Sequence, residues 1–409
     1  MNPVKPSANS YRLVLLSACA LLILSFGYRA GFGLLIVPMS ETRGWGRDVL
    51  AMALGVQNLV WGISAIIAGG LADRFGNLRV LLVGVCCYAI GMLAMSVSTT
   101  ELQIMSSAVL MVGAGIAGSS FGIVLPSIAR AVPEERRGWA IGIGTAAGSA
   151  GQFLVVPVVQ FAVDWVGWMY ALQLMGLSGF LMAVFCLPLA KYSGVTEQTG
   201  SDISQPGLMS IAIRAFSVES YRLLIMGFFV CGFHLAFITV HLPAYLVDLG
   251  FSAQIGAWSI SLIGLFNIVG AYYSGIISGK SSMRKLLAWI YIGRAITITL
   301  FISVPISLPS IMTFSAAMGF LWLATIPPTS GLVAVFFGTR YMSFLYGIVF
   351  LSHQLGSFAG VWLGGWWYEA YGNYQGLWIA GIILAITAAL LHWPIVERDF
   401  SARLKPATA

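Results

Sequence analysis

Residues 13–39 read LVLLSACALLILSFGYRAGFGLLIVPM, 27 residues with a single charge, Arg29. About 20 apolar residues coiled as a helix cross the hydrocarbon core of a bilayer. The run is too long for the apolar core of a signal peptide and has no clean cleavage site, so it reads as an uncleaved first membrane helix. Eleven further runs of the same kind follow, over 49–72, 78–98, 102–130, 139–163, 168–189, 222–248, 255–279, 285–304, 309–336, 343–366 and 374–395. Each has about the length a tilted helix needs. The sequence thus predicts an all-α membrane protein with twelve transmembrane helices, numbered one to twelve in chain order. Charged residues make up 9% of the chain and hydrophobic ones 59%. A soluble domain carries about 25% charged residues, so this surface is suited to lipid.

Between the sixth and seventh runs, Lys191 to Tyr221 is polar and contains Gly, Ser, Thr, Gln and Pro. It reads as a linker over 190–221 that joins an N-terminal bundle, 1–189, to a C-terminal bundle, 222–409. The two bundles repeat. A constant shift of 205 carries Gly27 and Pro38 to Gly232 and Pro243, and Arg29 to His234. The same shift carries Arg79 to Arg284, Gly142 to Gly347, Gly151 to Gly356, Asp164 to Glu369 and Gly167 to Gly372. Two pseudosymmetric six-helix bundles with a site between them near midplane are a transporter architecture.

Lysines and arginines orient the helices. With the N-terminus in the cytoplasm, 17 of the 21 basic residues fall on the cytoplasmic side, only Arg43 and Arg47 fall outside, and Arg29 and Arg294 stay within helices. Both termini are therefore expected to be cytoplasmic. The net charge of +7 is accounted for by these loops, without a basic, aromatic-interleaved patch for nucleic acid. The five cysteines, Cys19, Cys86, Cys87, Cys186 and Cys231, lie in apolar stretches as small hydrophobes, with no disulfide or metal spacing.

The loop after helix two, Gly69-Gly70-Leu71-Ala72-Asp73-Arg74-Phe75-Gly76-Asn77-Leu78-Arg79, resembles the signature of the major facilitator superfamily. Asn77-Leu78 stands where that signature usually has two basic residues, and the partner loop near Ser274 to Arg284 lacks the Asp-Arg pair. Gly44-Trp45-Gly46-Arg47 entering helix two, and Cys231-Gly232-Phe233-His234 through Pro243 in helix seven, resemble the monocarboxylate and oxalate–formate branch. Oxalate–formate exchangers are expected to carry an Arg in helix eight and a Lys in helix eleven. Here helix eight is uncharged and helix eleven has His353. The resemblance implies that Asp73 and Arg74 are gate residues bracing the cytoplasmic ends of neighbouring helices, and that the first helix of each repeat lines the cavity.

All 14 acidic residues fall in loops or near helix ends, whereas the spans hold Arg29, Arg294, His234, His241 and His353, with His392 near the inner end of helix twelve. A charge in the bilayer core marks a functional-site candidate. A cationic cavity without carboxylates attracts anions. Arg29 is the foremost candidate, since a guanidinium forks onto a carboxylate. Its other reading is a cap on backbone carbonyls near the glycines of helix one. As repeat mates, Arg29 and His234 are expected to face each other across the cavity. His241 lies seven residues beyond His234 on the same helix face. Each histidine can instead be a neutral core residue bonded to a neighbour. His234 and His353 are the candidates to carry a proton. Gln57, Asn58, Gln152, Asn267 and Gln354 are candidate polar contacts, or else join helix to helix, as can Thr145 and Ser149 beside Gln152. Arg294 lies in helix nine, which the resemblance implies is peripheral, and reads as structural pairing or a cap on carbonyls rather than a substrate contact.

These residues predict a secondary transporter that moves a small organic anion, a monocarboxylate, by proton symport. It is expected to act as a monomer, needing no cofactor or metal, as a multi-pass protein of a plasma membrane (the bacterial inner membrane). Carboxylate exchange and efflux of hydrophobic compounds are the alternative transport modes, and a membrane sensor that binds without transporting is the other class. Nucleophile, metal and phosphate-loop constellations of an enzyme are absent from the sequence.

Overall fold

The computed structural model describes residues 8–45, 47–192 and 207–404, which form helices with no strand among the described residues. Twelve segments are long and apolar enough to cross a membrane. Helices one to six are Tyr11–Leu35, Met52–Phe75, Asn77–Val97, Glu101–Ala131, Glu134–Val159 and Phe161–Ala190. Helices seven to twelve are Glu219–Pro243, Gln254–Ser278, Met283–Ser303, Leu308–Phe337, Met342–Tyr368 and Gln375–His392. All twelve expected runs are present, with ends shifted by a few residues because polar caps continue the coil beyond the apolar core.

The 205-residue repeat is visible in the backbone. The helical stretch Glu134–Gly179 kinks at Gly167, with φ 83°, near the start of helix six, and helix eleven ends at Gly372, with φ 68°. Side chains other than glycine rarely adopt that left-handed conformation, so both halves place glycine at the same corner. Within the halves, helix one packs along helix five, and helix seven along helix eleven. Between the halves, helix two packs along helix eleven, and helix five along helix eight. Gly142 and Gly347, another 205-residue pair, make those last two contacts close. A Cβ on Gly142 would meet the backbone of Gly275, and one on Gly347 the backbone of Ala65 and Ile66. Small residues let helix backbones approach where lipid supplies no hydrophobic drive between them.

Two helices are broken at equivalent points. Helix four divides into Gly113–Ser119 and Phe121–Ala131, and helix ten into Leu308–Leu321 and Ile326–Phe337. Ser120 and Thr325, 205 residues apart, each stand just before the second piece. In helix ten the cause is local. Pro327 and Pro328 have no N–H to donate, so the carbonyls of Leu323 and Ala324 lose their ordinary helical partners. Part of the expected linker, 193–206, lies outside the described residues. Its described remainder contains the helix Leu208–Phe216 before helix seven.

Candidate functional site

Every freed backbone group in a membrane interior needs a partner, and around the helix-ten break buried side chains supply them. Arg294 donates from Nε and Nη2 to the Leu321 carbonyl, at 3.3 and 2.9 Å, and from Nη2 to that of Trp322. The Leu323 N–H donates to Asn267 Oδ1 at 2.9 Å, and the Ser274 hydroxyl to the Ala324 carbonyl. Thr325 Oγ1 lies 3.2 Å from Cys231 Sγ, and Arg294 Nη2 is 3.6 Å from the same sulfur. Arg294 is fully buried and stacks over Tyr291. Its cation faces the carbonyl end of a half-helix, the favourable end for positive charge. The expectation of carbonyl capping for Arg294 describes this geometry.

Arg29 has a different setting. Its Nη2 donates to Asn58 Oδ1 at 2.7 Å, its guanidinium carbon lies 4.8 Å from the Trp61 ring centroid, and its buried Nε has no hydrogen-bond partner. Asn58 Nδ2 is taken by the Leu54 carbonyl at 3.0 Å, which fixes the amide with its oxygen toward Arg29. Among the described residues no carboxylate bonds to Arg29; its one hydrogen-bond partner is a neutral amide. Trp61 is held in turn by the hydroxyl of Ser120, at the helix-four break, at 3.2 Å.

The Arg29 group extends into the other half. Gln354 Nε2, on helix eleven, donates to the Asn58 backbone carbonyl at 3.1 Å, and Gln354 Oε1 lies 2.9 Å from His353 Nδ1. With the amide in that orientation, Nδ1 of His353 carries the hydrogen. Phe350 lies parallel to the His353 ring at 5.5 Å and 4.9 Å from Trp61, which closes the contact between helices two and eleven. One charged group and one titratable group, from opposite halves, are thus joined through Asn58 and Gln354.

The remaining expected residues lie elsewhere. His234 does not hydrogen-bond Arg29; its Nε2 lies 2.8 Å from the Gly381 carbonyl on helix twelve, and the side chain is fully buried. His241 Nε2 lies 3.0 Å from the Val361 carbonyl on helix eleven, between Phe237 and Tyr374. The seven-residue spacing does put both on one face, but that face packs within the C-terminal half. Gln57 donates to the Ala108 carbonyl of helix four at 2.7 Å, and Asn267 donates to Ser149 on helix five at 2.7 Å, so both join helices. Gln152 is half-buried and takes no part in the hydrogen bonds around Arg29. An apolar groove of about 410 Å³ between helices nine and twelve, lined by Ile292, Ile296, Leu300 and Ile386, is separate from all of these.

At the end of the bundle that carries the linker, Asp73 closes the halves onto each other. Its Oδ1 accepts from Arg130 Nη2 of helix four at 2.5 Å, and its Oδ2 from the Phe344 N–H in the first turn of helix eleven at 2.9 Å. Arg130 also donates to the Thr339 carbonyl, from Nε at 2.9 Å and from Nη2 at 2.7 Å. The Asp73 side chain is fully buried. The signature loop points to Asp73 and Arg74 but carries no signal for Arg130. Trp61, Ser274 and the breaks themselves were missed as well. The Pro327-Pro328 pair was the available signal for the break in helix ten.

A family model described as Major Facilitator Superfamily matches residues 18–361. The chain belongs to the major facilitator superfamily. Superfamily relatives of similar length include the uncharacterized MFS-type transporter YcxA of Bacillus subtilis (strain 168), 22% identical over 91% of this chain and 92% of its own. Monocarboxylate transporter 13 of Rattus norvegicus is 24% identical over 93% of this chain and 88% of its own. Among solved structures, the E. coli fucose:proton symporter superposes with a TM-score of 0.72 at 14% identity, over 94% of this chain and 98% of its own. The human organic anion transporter MFSD10 does so with 0.72 at 16%, over 93% and 99%. These likenesses show the superfamily fold: the chain is a multi-pass membrane transporter, not an enzyme.

Proposed function

We propose that the chain is a secondary active transporter of a small organic anion, a monocarboxylate, carried with a proton by alternating access. The observation that carries this reading is Arg29: a guanidinium inside the bilayer span, bonded to a neutral amide and with one N–H left over. An uncompensated charge in a low-dielectric setting is costly, and an anion relieves that cost best. A carboxylate that displaces the Asn58 amide gains two parallel bonds from the guanidinium fork. The relatives named monocarboxylate transporters agree with that chemistry.

Of the two histidines expected to carry the proton, the geometry favours His353, which reaches Asn58 through Gln354. An anion on Arg29 that disturbs Asn58 is felt at Gln354 and His353, so proton and substrate are linked reciprocally. The halves 1–189 and 222–409 then rock about this point, with Asp73 as the clasp at the linker end and Arg74 beside it in the signature loop. Both termini lie in the cytoplasm of a bacterial cell, the chain sits in its inner membrane, and a monomer suffices. Isothermal titration of the purified protein with a panel of monocarboxylates tests the reading. Arg29→Gln should abolish heats that the wild type gives, and unchanged affinity in the variant would return Arg29 to a structural role.

A further inference from the structure

The helix Leu208–Phe216 has two apolar faces, and its packing uses only one. Ile211 and Ala215 are buried, and Leu208 lies over Gly70, as does Phe344. Met209, Ile213 and Phe216, at spacings of four and three, form a second row that is 73%, 65% and 41% exposed. Residues so spaced share one helix face. Three large apolar side chains in a row on nine residues are unusual for a surface bathed in water.

The helix lies at the end of helix seven that the linker enters. It runs, after Ser217 and Val218, into helix seven. Leu71 and Phe75, at the adjoining end of helix two, are also exposed. At the same end, Trp289 and Trp393 lie in contact with each other and are exposed, as aromatic anchors are at an interface. Arg214, half-buried within the helix, donates from Nη1 to the Leu404 carbonyl at 3.5 Å, and the exposed Arg222 lies one turn into helix seven, where its Nη1 donates to the Phe216 carbonyl at 2.9 Å. Arg74 and Arg284 add positive charge to this end.

We propose that Leu208–Phe216 is an interfacial helix that binds anionic phospholipid: Met209, Ile213 and Phe216 enter the headgroup–acyl boundary, and the exposed Arg222 meets lipid phosphate. Continuity with the lipid-facing surface and the basic flank both select lipid over a protein partner. The helix also bears on the clasp. Leu208 and Phe344 both lie over Gly70, and the Phe344 N–H is held by Asp73, so the helix sits beside the contact between the halves.

The test uses the full-length protein in nanodiscs of equal parts phosphatidylglycerol and phosphatidylcholine, with the photocrosslinker p-benzoylphenylalanine placed at Ile213 or, as control, at the exposed loop residue Ser281. After irradiation, intact mass should show phospholipid adducts at position 213 well above those at 281. Phosphatidylglycerol should predominate, and Arg222→Gln should reduce its excess by about fivefold. Adducts at 213 that are confined to the chain itself, or no greater than at 281, would overturn the interfacial placement. Lipid adducts without preference for phosphatidylglycerol, unchanged in Arg222→Gln, would overturn the anionic-lipid site.

Discussion

Asp73→Asn isolates the clasp at the linker end. The substitution keeps the shape of the side chain and removes its charge. In the present conformation the carboxylate accepts from Arg130 at 2.5 Å and from the Phe344 N–H at 2.9 Å, with the side chain fully buried. Hydrogen bonds to charged groups contribute about 1.5–3 kcal/mol each, and an acid at a helix N-terminus adds a few tenths to about 1 kcal/mol. Asparagine can still accept one of the two bonds, and Arg130 keeps the Thr339 carbonyl. The closed arrangement therefore loses about 2–3 kcal/mol relative to one in which the clasp is already open. At about 1.4 kcal/mol per factor of ten, the equilibrium shifts roughly 30- to 150-fold toward opening at this end. Spin labels on Glu135 and Ser281, exposed residues of opposite halves at this end, report it by electron–electron dipolar spectroscopy. The parent pair should give a short distance, and the Asp73→Asn background a substantial longer population. An unchanged distance distribution in a correctly folded variant would refute the clasp.

Other outcomes follow from the same geometry. Arg294→Met leaves the Leu321 and Trp322 carbonyls without their donor and should cost about 2–4 kcal/mol of stability. This is measurable as a lower unfolding temperature in detergent, with anion affinity of the folded fraction nearly unchanged. His353→Gln should retain exchange of unlabelled for labelled carboxylate in proteoliposomes but lose accumulation driven by an inward proton gradient. His234→Gln, which removes only the contact to Gly381, should retain both; the opposite pattern would move the proton site to helix seven.

The twelve spans were legible because apolar length is the bilayer's own requirement, and the repeat because both halves need the same corners. Gly167 and Gly372 were paired by offset alone and share a left-handed φ. What sequence could not resolve was which neighbour each buried polar group meets. His234 and His241 lie on one face as their spacing demands, yet the carbonyls of Gly381 and Val361 take them. Helix periodicity gives a direction around one axis and says nothing of the helix packed there. Likewise Asn267 looked like a cavity residue, but the prolines of helix ten expose backbone groups, and Asn267 answers one of them. Arg29 and His353 were both found, but the Asn58–Gln354 bridge between them depends on the close packing of helices two and eleven.

The central claim is that Arg29 holds a small organic anion that travels with a proton. Uptake of labelled monocarboxylates into proteoliposomes, with and without a pH gradient across the bilayer, tests it for the wild type and for Arg29→Lys and Arg29→Gln. The account predicts accumulation by the wild type that collapses when the gradient is abolished. It predicts at least about tenfold loss in Arg29→Lys, which keeps the charge without the fork, and no transport in Arg29→Gln. Wild-type accumulation of the same carboxylate by Arg29→Gln would contradict it.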